Sequence, residues 1–134
     1  MLPQELKALE ITACKIRMDI LTATHAAKCG HPGGSLSAAD LFTYLYFHEL
    51  RVDPKNPQDP DRDRFVLSKG HTAPGLYSAL AERGFFPVED LKTLRRIDSY
   101  LQGHPNMNPV WICPPAPWAR AFPAPAAWPR AAST

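Results

Sequence analysis

The chain has 134 residues, 45% of them hydrophobic, which suits one globular domain with a single core. Its formal net charge is only +2 and it lacks a dense run of Lys and Arg, so composition indicates neither a nucleic-acid nor a membrane-surface partner. No stretch approaches the ~20 apolar residues that span a bilayer, and three cysteines without a C-x-x-C pair favour a reducing cytoplasm over a disulfide framework or a zinc site.

The first predicted element is a long amphipathic helix from about Gln4 to Ala27. Its apolar residues recur at alternating steps of three and four, the spacing of one helical face: Leu6, Leu9, Ala13, Ile16 and Ile20. Gly30 supplies a C-terminal cap, and Pro32 cannot continue the helical hydrogen bonds. We therefore expect this helix to pack on the core and to end in the turn at 29–34.

A second helix is predicted from Ala38 to about Leu50. Ser37 and Asp40 have the spacing of a capping box at its start. Three residues would form its apolar side: Leu41, Tyr44 and Leu45. The segment 52–63 that follows holds three prolines and four aspartates, which predicts a surface loop.

A short apolar run follows this loop. Residues 64–67 (RFVL) are bounded by loops, the pattern of a buried strand. Helices that alternate with a buried strand indicate the opening of an α/β layer fold. We therefore expect N-terminal helices and the first strand or strands of an α/β domain.

Two further helices are predicted after this strand. The third has Pro74 in its first turn and Gly84 just past its end. Its inward residues would be Ala73, Leu76, Tyr77 and Leu80. The fourth, which is short, opens at Pro87 and would carry Leu91 and Leu94 on its buried side.

The composition changes abruptly at Pro109. The last 26 residues contain seven prolines, eight alanines, all three tryptophans and no acidic residue. This segment has no apolar period from which to build a regular element, so we expect residues 109–134 to form a disordered or irregularly draped tail. Residues 1–108 then form the single partial domain.

Three of the five histidines follow a glycine at predicted element junctions: His31, His71 and His104. Glycine permits a tight turn, and the proline after two of these histidines fixes the exit direction of the loop. Imidazole passes protons near neutral pH, so three in one pocket would suit polyol or phosphate chemistry. Taken singly, each is more simply a turn histidine with a satisfied hydrogen bond, and the spacings of 40 and 33 residues match no zinc pattern.

Three motifs together resemble the N-terminal region of transketolases. They are AAKCGHPGGSLS at 26–37, DRDRFVLSKGH at 61–71 and GHP at 103–105, and they contain the three glycine-linked histidines. The motifs occur in the order and at the approximate spacing of that family. The resemblance extends from about residue 6 to residue 108.

This resemblance implies an incomplete thiamine diphosphate-binding fold whose active site forms between subunits, in a homodimer or a split two-chain assembly. By the same resemblance, His71 lies near the cofactor, while His31 and His104 hold the hydroxyls of the donor ketose and help to move protons. The reaction implied is transfer of a two-carbon ketol unit between sugar phosphates, as in the cytoplasmic pentose phosphate pathway.

The resemblance also shows what does not follow Asn108. The family continues with a glycine-rich cofactor loop and a Gly-Asp-Gly motif, which helps to bind the Mg²⁺ or Ca²⁺ ion that holds the diphosphate. We therefore expect no metal ligand in this chain and no activity from the chain alone. The alternative is a non-catalytic remnant of a broken gene. A related thiamine enzyme that makes a deoxy sugar phosphate agrees less well with the LSKGH sequence at 67–71.

A shifted reading frame would explain the tail. Codons from Pro109 onward, regrouped one base upstream, permit Pro-Gly-Val-Asp-Met and later Gly-Ser-Leu-Gly-Gln-Gly-Phe-Ser, which resemble the sequence of the family. The Asp is forced by Trp111 and Ile112, and the Gly after Leu by Trp118 and Ala119. We therefore hypothesise a frameshift just after Asn108, with an ordinary low-complexity tail as the alternative.

Overall fold

The computed structural model describes residues 2–105. The predicted tail at 109–134, with its expected disorder, lies outside the described residues. Within 2–105 the chain forms four α-helices joined by short 3-10 and π turns, and these helices enclose one hydrophobic core. In that range no helix is both long enough and apolar enough to cross a membrane.

Helix α1 spans Pro3–Ala27, close to the predicted bounds. The carboxylate of Glu5 accepts a hydrogen bond from the Leu2 N–H at 2.6 Å and so caps its first turn. Its buried face comprises Ala13, Ile16, Ile20, Ala23 and Thr24. The prediction was wrong for Leu6, which is 51% exposed, because the start of the helix extends beyond the elements that cover its later turns.

The predicted second helix is divided into a short α-helix and a π turn, and another short α-helix forms just before it, where the sequence predicted a turn. Helix α2 spans Pro32–Ser37, helix α3 spans Ala39–Tyr44, and a π turn continues over Leu45–Glu49. The predicted capping box is absent because the Ser37 hydroxyl donates to the Gly34 carbonyl at 2.8 Å, within α2.

The predicted apolar side of this region was wrong for two of its three residues, whereas Leu45 is partly buried and packs against the core. Leu41 and Tyr44 are 57% and 41% exposed. The face that packs inward is that of Ala39, Phe42, Thr43 and Tyr46. The later helix at Ala73–Arg83 selects this face, because the Phe42 ring fills the space that a side chain at Gly75 would occupy.

The predicted strand at 64–67 is not formed. Leu67 is buried and Phe65 packs against the core, whereas Val66 is 46% exposed, so the side chains alternate as they would in a strand. A strand also needs a neighbour with which to form a hydrogen-bond ladder. Residues 2–105 contain no second extended segment paired with it, and the predicted α/β layer is therefore not present in this range.

Helix α4 spans Ala73–Arg83 and confirms the predicted third helix. Pro74 lies in its first turn, and Gly84, at φ 96°, takes the left-handed conformation that ends it. Every residue from 73 to 81 is buried. Helices α1, α2 and α3 all contact α4, as does the 3-10 turn at Val88–Thr93, which replaces the predicted fourth helix and still buries Leu91 and Leu94.

A carboxyl group lies where α1 packs on α4. Asp19 of α1 has one oxygen, Oδ2, that is buried and accepts no hydrogen bond from the described residues. Burial and, secondly, the charge of Glu82 on α4 raise the pKa of Asp19 to about 6, against a smaller opposite effect of Lys15. The ionised form of Asp19 therefore destabilises the folded chain at neutral pH.

We predict that Gly75→Ala destabilises the fold although alanine favours helices. The new Cβ would lie 2.8 Å from the ring of Phe42, which is 1% exposed, so the ring could make room only by displacing its core neighbours. Overpacking of this kind costs about 1–3 kcal/mol, more than the ~1 kcal/mol gained in helix propensity. Urea unfolding measures the difference. Gly33→Ala in α2 is the matched control, because its Cβ would meet nothing within 4 Å; an equal effect of both changes would contradict the prediction.

We predict that Asp19→Asn stabilises the chain more at about pH 7.5 than at about pH 4.5. The pKa of Asp19 is raised from 3.8 to about 6 on folding. The stability linked to protonation of Asp19 is therefore fully present below its pKa in the unfolded chain. It is lost as the pH rises through its pKa in the folded chain. Thermal unfolding at the two pH values measures the change. Asp98→Asn, at an exposed position, is the control, and a pH-independent effect of Asp19→Asn would contradict the prediction.

Candidate functional site

His31 stands at the junction between α1 and α2. Gly30 before it has φ 129°, a conformation that side-chain-bearing residues rarely adopt, so this turn requires glycine. A Cβ at Gly30 would also lie 3.1 Å from the Thr24 side chain. Pro32 then begins α2 directly, so His31 lies in the turn between α1 and α2, where it is exposed.

His71 lies in the 3-10 turn Gly70–Thr72, which continues into α4. The Thr72 N–H and hydroxyl both donate to the Lys69 carbonyl, at 2.9 and 2.8 Å, and so fix this turn. The rings of His31 and His71 meet edge to face, with centroids 5.3 Å apart. A Cβ at Gly34 would lie 3.4 Å from Nε2 of His71, so α2 approaches this imidazole through a glycine.

His104, near the C-terminal end of the described residues, lies beside His31 and His71. A cavity of about 110 Å³ is lined by all three predicted histidines together with Pro74, Leu94 and Arg95. The structure therefore brings His31, His71 and His104 together, although 73 residues separate the first from the last. The other two histidines lie elsewhere: exposed His48 contacts the Tyr44 ring, and His25 borders a larger open groove of about 790 Å³.

Sequence reasoning missed Arg95. Its φ of 62° is unusual for a residue with a side chain, and its N–H donates to the Leu101 carbonyl at 2.8 Å. This bond closes the loop that returns to His104 and places Arg95 beside the histidines. Nothing in the local sequence distinguishes Arg95 from the neighbouring Arg96, because the signal is a long-range backbone contact.

The cavity combines proton-transferring and anion-binding groups. Imidazoles accept and donate protons near neutral pH, and a guanidinium is a fixed cation with several donors that suit phosphate or hydroxyl oxygens. Pro74 and Leu94 supply apolar walls. Among residues 2–105, no group of three or more His, Cys, Asp or Glu side chains is placed to hold a metal ion.

Most of the chain matches one known protein family. The family model for the transketolase thiamine diphosphate-binding domain matches residues 9–111. The chain belongs to the transketolase family. It is 49% identical over 102 residues to a transketolase of Pongo abelii, an alignment that covers 76% of this chain and 16% of that one.

Two further relatives are, by name, transketolase subunits. The chain is 53% identical over 79 residues to one subunit of the 6-deoxy-6-sulfo-D-fructose transketolase of Clostridium sp. (59% of this chain, 29% of that one). It is 41% identical over 104 residues to one subunit of the apulose-4-phosphate transketolase of Phocaeicola vulgatus (78% and 37%). This transketolase-family chain thus spans about a sixth of the full-length relative and about a third of the two subunits.

The family's cofactor is thiamine diphosphate, and the described residues fit only part of it. The histidine cavity is much smaller than the roughly 300–1,000 Å³ of pockets that enclose a ligand of this size. Its imidazoles and guanidinium suit the polar and reacting end of such a site. Within 2–105, this cavity alone is too small to enclose such a cofactor, and no cluster of side chains placed to bind a metal ion accompanies it.

Proposed function

We propose that this chain contributes the N-terminal wall of a transketolase active site, which transfers a two-carbon ketol unit between sugar phosphates. The observation that carries the proposal is the meeting of His31, His71 and His104 at one cavity, in a chain that matches the family's cofactor-binding domain over residues 9–111. Thiamine diphosphate supplies the carbanion chemistry when bound. The residues of this chain bind and orient the cofactor and the substrate, and they move protons.

The three histidines have different proposed roles. His71 is held by the turn at the start of α4, which suits a fixed contact with the cofactor. His31 and His104 lie on exposed loops at the cavity, where they can bind hydroxyls of the donor ketose and pass protons. Arg95 adds a positive charge that favours a phosphorylated substrate.

The remaining parts of the site come, on this proposal, from residues outside 2–105, in the same or in another polypeptide. The similarity to two transketolase subunits supports a split assembly, and a homodimer is the other arrangement. Two exposed free thiols in the described range, Cys14 and Cys29, support a reducing cytoplasmic location. Identities near 50% with transketolases favour this function over a remnant without specific activity.

We predict that residues 1–108, joined to the remaining sequence of a full-length relative, give an active thiamine diphosphate-dependent transketolase, whereas the present chain alone is inactive. His71→Ala in that chimera should reduce turnover by about 10²-fold, because the cofactor would lose a contact that orients it for the reaction. The measurement is ketol transfer under saturating cofactor and Mg²⁺.

The control in the chimera is His48→Ala, since His48 is exposed and lies outside the cavity. Its rate should stay near that of the parent chimera. An unchanged rate for His71→Ala would remove His71 from the site. Full activity of the chain alone would contradict the proposal that the described wall is incomplete.

We also propose that residues after Asn108 are read in a shifted frame. The family match ends at residue 111, close to the abrupt change in composition at Pro109. The regrouped codons resemble the family sequence and can encode only Asp and Gly at two of its positions. This supports a shifted frame over an ordinary low-complexity tail. The domain would then consist of residues 1–108, followed by a tail unrelated to the family.

We predict that resequencing the gene across the Asn108 codon shows either a one-base discrepancy or an intact shifted frame in the same DNA. In both cases, the regrouped codons should continue into a Gly-Asp-Gly motif downstream. A correct reference frame with no such motif in any frame would contradict the frameshift.

A further inference from the structure

The turn that carries His104 is attached to helix α4 by one buried phenol. The Tyr77 hydroxyl donates a hydrogen bond to the Gln102 carbonyl at 2.9 Å, and Tyr77 is only 1% exposed. Burial raises the pKa of Tyr77, so its hydroxyl remains a protonated donor at neutral pH. Gln102 precedes His104 by only two residues, so this bond fixes the backbone next to the imidazole.

The same helix also carries His71. The 3-10 turn of His71 runs into α4 without a break, and Tyr77 follows six residues later. Since α4 is buried over residues 73–81, it cannot shift without disturbing the core. One rigid element therefore connects two of the three histidines: His71 through the backbone, and His104 through Tyr77.

Arg95 supports the turn from its other side. Its N–H binds the Leu101 carbonyl, and Leu101 is fully buried. A Cβ at Gly103 would lie 2.9 Å from Nε of Arg95, so the arginine side chain packs directly against the glycine before His104. The backbone at 101–103 is thus held between α4 and Arg95.

We propose that Tyr77 is a positioning residue, which holds His104 at a fixed place relative to His71. The consequence of this role for catalysis rests on the proposed function. The placement of His104 is independent of that function and can be measured without any ligand. Tyr77 itself does not line the cavity, so it acts through the Gln102 carbonyl.

The test is Tyr77→Phe in the full chain, with the histidine imidazole resonances followed by NMR. We expect the His104 ring signals to shift while those of His48 stay in place and the spectrum remains that of a folded protein. Tyr100→Phe is the matched control. It also removes a single phenol oxygen, close to His104 in sequence, but the Tyr100 hydroxyl donates to the Asp90 carboxylate and not to the backbone of the His104 turn. Unmoved His104 signals in Tyr77→Phe, or an equal shift in Tyr100→Phe, would overturn the proposal.

If Tyr77→Phe does not fold, a second pair of variants tests whether the position of the backbone at 101–103, held between α4 and Arg95, sets that of His104. Gly103→Ala should shift the His104 signals, because its Cβ meets Arg95, and adding Arg95→Ala should return them towards the parent positions. A shift that persists in the double variant would overturn the proposal that the held backbone at 101–103 sets the position of His104. If His104 responds as expected but the chimera of residues 1–108 has no transketolase activity, then the proposed function fails and the positioning role of Tyr77 stands.

Discussion

The burial of helix α4 is the constraint on which the rest of this structure depends. A helix that is buried over nine successive residues needs neighbours on every side, and α1, α2, α3 and the 3-10 turn at Val88–Thr93 provide them. Small residues make this possible: Ala73, Gly75, Ser78 and Ala79 allow the surrounding elements to approach. Where α3 crosses, the Phe42 ring lies against Gly75 and decides which face of α3 points inward.

The candidate site is a product of the same packing. The start of α4 presents His71, its second turn holds the backbone before His104, and the junction of α1 with α2 supplies His31. None of the three imidazoles comes from the interior of a long helix. They lie on turns whose geometry is set by buried neighbours, which is how rigid elements present reactive groups on loops. Core stability and site geometry in this chain are therefore linked through α4.

The described residues do not enclose a ligand-sized pocket around the three histidines. The cavity is small, and the groove beside α1 is wide and open. Gly30 borders both, so the turn before His31 lies between the histidine cavity and the larger apolar surface. A site of this shape can orient a proton-transferring group, while enclosing a substrate and excluding water require further surfaces.

The sequence by itself determined the helices with strong local signals. It placed α1 and α4 nearly to the residue, because the apolar periodicity and the helix-end signals of Pro74 and Gly84 act locally. Its three motifs identified the histidines and the family. It did not determine which face of α3 is buried, since Leu41 and Phe42 are equally apolar and only the contact with Gly75 chooses between them. It also predicted a strand at 64–67 from a pattern that lacks a pairing partner within 2–105. Only the tertiary structure decided the position of Arg95 and the role of Tyr77, because both depend on backbone groups distant in sequence that the chain brings together on folding.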